Sequence, residues 1–143
     1  MKKLIVLFVM AAIFAQSFAQ TVSPGNVKVP EIVVNAFNKA YPTATGVTWT
    51  QTGNNYRAAY QVSRMDMEAR YDNSGNLIEQ STGILASELP AISTDYIREN
   101  YNGSTITRAC KVTDFKGKVN YKAQVDGKWL KFDADGNLIK PVE

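Results

Sequence analysis

The chain has 143 residues, with 16 Lys and Arg against 13 Asp and Glu, one cysteine and no histidine. The lack of histidine excludes Ser-His and Cys-His nucleophilic pairs, histidine zinc sites and the commonest general base near neutral pH. A lone cysteine excludes an internal disulfide or a thiolate metal cluster, and a formal charge of +3 falls short of the dense basic field that nucleic acid demands.

The N-terminus reads as an export signal. Lys2 and Lys3 precede an unbroken apolar run from Leu4 to Phe14, and Ser17-Phe18-Ala19 sets small residues where a signal peptidase reads. Eleven apolar residues rise only about 16 Å as a helix, roughly half of a bilayer's hydrocarbon core. Cleavage before Gln20 is expected, and no later segment is long or apolar enough to span a membrane. The remaining 124 residues carry 14 basic and 13 acidic groups once Lys2 and Lys3 are gone. That length suits one domain with a real core and no nucleic-acid partner.

Residues 20–28 show no period and contain Pro24 and Gly25, so they are expected to be a flexible leader. Pro30 then suits a first helical turn. Ile32, Val33, Ala36, Phe37, Ala40 and Tyr41 follow as one apolar stripe, and Pro42 ends the helix. Beyond it the period falls to two: Val47 and Trp49, then Tyr56, Ala58, Tyr60 and Val62, then Met67, Ala69 and Tyr71 alternate with polar neighbours. A second helix is expected from Pro90 to about Asn100, with Ile92, Tyr96, Ile97 and Tyr101 on its stripe. Ile106, Arg108, Cys110 and Val112 share one phase, answered by Val119, Tyr121, Ala123 and Val125 and by Leu130 and Phe132. This phase makes Cys110 a small core residue. Gly53-Asn54-Asn55, Phe115-Lys116-Gly117 and Asp126-Gly127 read as hairpin turns.

The chain also repeats itself. Tyr71-Asp72-Asn73-Ser74-Gly75-Asn76-Leu77-Ile78 returns 61 positions later as Phe132-Asp133-Ala134-Asp135-Gly136-Asn137-Leu138-Ile139. Val29-Pro30-Glu31-Ile32 is echoed by Leu89-Pro90-Ala91-Ile92. The expected fold is α+β: one domain over 29–143 built from two copies, about 29–82 and 89–143. Each copy is a helix followed by three to four antiparallel strands. Together they form one continuous antiparallel sheet with two helices on one face and the other face open.

Of the Asp-x-x-Gly-Asn segments, Asp72–Asn76 and Asp133–Asn137, the second resembles the opening of a calcium loop, the first having Ser74 in place of Asp135, and neither supplies the acid that closes one. Gly83 stands at that place in the first copy, and the second stops one residue short at Glu143. A hairpin turn with Asp as its cap and Gly at positive φ accounts for both. No metal or cofactor is therefore expected, and a sensor of calcium or a small ligand through these turns is the alternative reading.

Val29-Pro30, Ala36-Phe37, Tyr41-Pro42, Val47-Thr48-Trp49, Tyr56-Arg57-Ala58, Tyr71-Asp72-Asn73-Ser74-Gly75 and Leu89-Pro90 together resemble the PepSY-like family of small exported bacterial proteins, similar in fold to beta-lactamase inhibitor protein. The resemblance covers about residues 28–140. It implies a tandem helix-plus-sheet fold, a periplasmic or secreted location and no established activity, and the open sheet face, with which beta-lactamase inhibitors grip an enzyme, is carried over without its target. With catalytic residue sets excluded above, a non-catalytic module that binds a protein partner in the cell envelope is expected. Strand phase independently sends Arg57, Gln61, Arg70, Lys111, Lys122, Gln124, Trp129 and Lys131 to that face. The candidate partner-binding residues are accordingly Trp129, Arg57, Arg70, Lys111, Lys122 and Lys131. Trp129 is expected to be partly exposed among cations, the composition of an interface centre, whereas Trp49 shares the core phase of Val47.

Overall fold

In the computed structural model, which describes residues 27–139, helix α1 (Glu31–Ala40) starts where Pro30 halts an extended entry. The Pro30 carbonyl takes the N–H groups of Val33 and Val34 at 3.0 and 3.1 Å. The export signal, its cleavage before Gln20 and most of the leader lie outside the described residues. The strands that follow are β1 (Thr45–Thr52), β2 (Asn55–Val62), β3 (Met65–Tyr71) and β4 (Leu77–Ile84). A single 3₁₀ turn at Ala86–Glu88 leads to α2 (Ala91–Asn100), then β5 (Ile106–Asp114), β6 (Val119–Val125) and β7 (Lys128–Phe132). All seven strands form one antiparallel sheet in chain order. No helix among the described residues is long and apolar enough to cross a membrane.

The helices lie on one face, each over its own core. Phe37 of α1 meets Tyr60 and Trp49 edge-on, with ring centroids 4.9 and 5.3 Å apart. These rings pack with Val33, Val47, Tyr56, Ala58, Ala69 and Tyr71. Ile97 of α2 packs on a smaller group: Leu89, Ala109, Ala123, Val125 and Phe132.

Both buried stripes are narrower than the periodicity suggests. Ile32 and Ile92 are more than half exposed, and in α2 the buried partner of Ile97 is Ser93. The Ser93 hydroxyl donates to the Gly136 carbonyl at 3.0 Å, which allows its burial. The turn presses so closely on α2 that a Cβ on Gly136 would stand 2.7 Å from that of Pro90.

The β5 phase departs from the expected one. A bulge between Ile106 and Arg108 shifts the register by one residue. Ile106 still packs on the α2 core, but beyond the bulge Ala109 and Lys111 face the helices, while Arg108, Cys110 and Val112 face the other way. One extra residue in a strand reverses every later side chain. Cys110 is thus a half-buried residue of the helix-free face, outside both helix-covered cores.

Candidate binding site on the helix-free face

Residues directly opposite in an antiparallel ladder share a face, so the register lays out the helix-free surface in rows. One row runs Thr50, Arg57, Arg70, Glu79 and Asp114; the next Ala59, Glu68, Ser81, Val112 and Asn120. A third carries Cys110, Lys122 and Lys131, and a fourth Arg108, Gln124 and Trp129. Of the candidates, Arg57, Arg70, Lys122, Trp129 and Lys131 are brought to this face. Lys111 is not: it stands opposite Thr82 and Tyr121, exposed on the helix-bearing side. The β5 bulge is the reason for that correction. The same shift delivers Arg108, which the sequence phase had assigned to the core; a charged residue in a supposedly buried row was the available signal.

The face is not uniformly wet. Val112 and Asn120 are buried on it with no helix of the described residues above them, so neighbouring side chains close over the centre. Beside them opens a cleft of about 830 Å³ reaching from β2 to β7. Ser81, Gly83 and Cys110 are among the residues that line it. Met65, Leu85 and Trp129 line it too, and these three apolar residues are 49, 70 and 47 % exposed. Arg64, also lining the cleft, occupies the left-handed region at φ 68° beside Ser63 at 51°.

Charge is divided unevenly across the cleft. In β2 and β3, Arg57 stands opposite Arg70; in β6 and β7, Lys122 stands opposite Lys131. The arginine pair has counter-ions: Glu68 lies 3.5 Å from Arg57, and Glu79 lies 3.2 Å from Arg70. Among the described residues the lysine pair forms no ion pair. At the offset of 61, the place of Glu68 is taken by Trp129. The Arg108 guanidinium lies over the Trp129 ring, 5.6 Å from its centroid. An indole flanked by Arg108, Lys122 and Lys131, which form no ion pair among the described residues, is suited to hold an anionic, partly apolar surface.

The two Asp-x-x-Gly-Asn segments lie at the opposite end of the strands, joining β3 to β4 and following β7. Asp72 accepts hydrogen bonds from the N–H groups of Ser74 and Asn76, at 2.9 and 3.0 Å, and from the Asn76 amide at 2.9 Å. Asp133 accepts the same backbone pair from Asp135 and Asn137 at 3.0 and 2.8 Å. These bonds hold both carboxyls below the usual range, led by the Asn76 side chain at Asp72 and by the Asn137 N–H at Asp133. The carboxylates are thus engaged as turn caps. No group of three metal-ligating side chains gathers among the described residues.

The fold recurs among solved structures. A Bacteroides eggerthii protein assigned to the periplasm matches at TM-score 0.69 and 20% identity, over 80% of this chain and 88% of that one. A DUF2874 family protein from Bacteroides uniformis matches at 0.68 and 22%, over 79 and 88%. A protein from Bacteroides fragilis described as BLIP-like, after beta-lactamase inhibitor protein, matches at 0.61 and 23%, over 81 and 86%. The helix-plus-sheet fold implied by the resemblance is therefore observed, and it is shared with these DUF2874 and BLIP-like structures. No protein-family model matches the chain, and no curated protein does. At these identities what is shared is the fold, and function must be argued from the surface.

Proposed function

We propose that this protein is an exported, non-catalytic binding module that holds a protein partner in the cell envelope through the cleft on its helix-free face. The observation that carries the reading is the pairing of a half-exposed Trp129 with Arg108, Lys122 and Lys131, none of them neutralised within the described chain. Tryptophan and arginine dominate binding energetics where they can be desolvated together. The periplasmic assignment of one structural match and the BLIP-like description of another support the location and the mode.

Crosslinking capture from envelope extract tests it. Trp129→Ala combined with Lys122→Glu should keep the wild-type circular dichroism and lose the captured partner. Lys111→Glu, on the helix-bearing side, should capture as the wild type does. Equal capture by both variants would refute this face as the interface.

A further inference from the structure

One row of the helix-free face crosses the sheet through the cleft. Gln61 stands opposite Asp66; on the other side of β4, Gly83 stands opposite Cys110, Cys110 opposite Lys122 and Lys122 opposite Lys131. Asp66 and Gly83 close the row between them, since a Cβ on Gly83 would lie 3.2 Å from the Asp66 carbonyl oxygen. Asp66, Gly83, Cys110, Lys122 and Lys131 all line the cleft. Neighbouring strands lie about 4.8 Å apart, so the row passes from β3 to β7 in about 19 Å, the reach of about six extended residues. Its middle holds nothing longer than the Cys110 thiol. Leu85 and Trp129, two residues along from Gly83 and Lys131, also line the cleft and are exposed in it.

Charge is sorted along this row. The acids of the cleft lie towards β3 and the 3₁₀ turn, and each is engaged: Asp66 accepts the Gln61 amide at 2.8 Å, Glu68 pairs with Arg57 at 3.5 Å, and Glu88 accepts the Leu85 N–H at 2.7 Å. At the other end Lys122 and Lys131 are opposed, with Arg108 two residues from Cys110, and none of the three forms an ion pair among the described residues. Arg108 and Lys122 belong to β5 and β6, inner strands flanked on both sides by others. A compact anion would engage this end alone and leave Leu85 uncovered; an extended chain reaches both. We propose that the cleft takes an extended segment of the partner protein laid across the strands. Its acidic end lies over Lys122 and Lys131, and an apolar side chain lies over Gly83 and Cys110, against Leu85 and Trp129. The apolar side chain supplies affinity, and the carboxylates fix direction and selectivity. This deepens the function proposed above and rests on it for the partner being a protein.

The test uses ¹⁵N-labelled chain of residues 20–143 and two capped hexapeptides, Glu-Glu-Ala-Leu-Ser-Ser and Ser-Ser-Leu-Ala-Glu-Glu, which cover both directions across the strands. Peptides with Lys-Lys in place of Glu-Glu are the controls. Cys110, the only cysteine, reports the middle of the row through its rate of alkylation by N-ethylmaleimide. At about ten times its dissociation constant, the glutamate peptide of the accepted direction should slow alkylation about tenfold, because only the free form reacts. It should also shift the amides of Gly83, Lys122 and Trp129; the lysine peptides should do neither. Lys122→Glu should weaken it about tenfold, and Lys111→Glu, on the helix-bearing side, should leave it unchanged. Shifts confined to Lys122 and Lys131 with alkylation unchanged would overturn the crossing segment. Equal protection by N-acetylglutamate would assign the row to a small anion, and equal protection by the lysine peptides would refute selection for acid. A response seen only after deletion of residues 140–143 would assign the row to this chain's own tail. Each of these results would overturn the proposal, as would no response to either glutamate peptide. The crosslinking capture judges the face separately, and its loss in the Trp129 and Lys122 double variant would leave that reading standing.

Discussion

Replacing Gly136 with alanine isolates how tightly the second turn is pressed onto α2, because another glycine supplies the control. Gly136 and Gly103 both have positive φ, 95° and 79°, so a side chain is strained at either position. Around Gly103 a new Cβ meets nothing within 4 Å. Gly103→Ala should therefore register backbone strain alone, about 1 kcal/mol after allowing for the less flexible unfolded chain. At Gly136 the same methyl would stand 2.7 Å from the Pro90 Cβ, 3.0 Å from the Ser93 hydroxyl and 3.2 Å from the Ile92 Cβ. Pro90 is rigid and Ser93 is fully buried, so neither yields cheaply. Overpacking of this kind adds about 1–3 kcal/mol, for a total of about 2–4 kcal/mol. Urea unfolding should show the Gly136 variant with a much lower midpoint than the Gly103 variant and an unchanged m-value. Equal midpoints would refute the idea that contact between turn and helix, beyond local strain, holds the second half together.

Three further outcomes follow from particular contacts. Phe37→Ala, which removes the ring shared by Trp49, Tyr60 and Tyr71, should cost about 3–5 kcal/mol in urea unfolding. Arg64→Gly relieves a left-handed residue in the β2–β3 turn and should raise stability by about 0.5–1 kcal/mol, seen as a higher melting temperature. For Asp133 the folded-state pKa is lowered, so the native form binds fewer protons than the unfolded form near the ordinary aspartate value of 3.8. Its stabilisation is fully present above that value and is lost as pH falls through the lower folded pKa. The stability gap between wild type and Asp133→Asn, followed by urea midpoints from pH 7 to pH 2.5, should therefore close only below about pH 4.

Most of the scaffold is legible in the sequence because its signals are local. Pro30, Pro42 and Pro90 punctuate helices that run Glu31–Ala40 and Ala91–Asn100, and period-two alternation marks β1, β2 and β3 with Trp49 inside. Trp129 emerges on the helix-free face for the same reason: it alternates with Leu130 and Phe132 in a strand without a bulge. What stayed hidden depends on contacts between distant segments. The β5 bulge, which exchanges Lys111 for Arg108 on the helix-free face, has no glycine or proline to announce it. Ser93 looks like a solvent residue until Gly136 supplies an acceptor 43 positions away. The cleft's lining draws Met65 and Leu85 together with Trp129 of β7, residues that only the sheet order brings to one place.

The contrast between the halves sets a half-exposed indole and cations without ion pairs among the described residues where the first half keeps internal ion pairs, and one substitution exchanges the two arrangements. Two like-charged pairs, Arg57–Arg70 and Lys122–Lys131, occupy equivalent ladder positions, and opposed cations are unfavourable unless compensated. The first half compensates them internally with Glu68 and Glu79. The second half has Trp129 in place of the first acid and, among the described residues, no strand to carry the other. Trp129→Glu would restore the first-half arrangement. The loss is the buried half of one indole, about 2–3 kcal/mol less what the glutamate stem covers again, and its contact with Arg108, about 0.5–1 kcal/mol; the gain is a surface ion pair worth about 0.2–1 kcal/mol. Stability should then fall by about 1–3 kcal/mol, read as a lower urea midpoint, while crosslinking capture of the envelope partner is lost as the anchor disappears and a glutamate takes its place among the cations. Capture that persisted despite the lower midpoint would mean that Trp129 serves packing alone and that Lys122 and Lys131 do not recognise a partner's carboxylates.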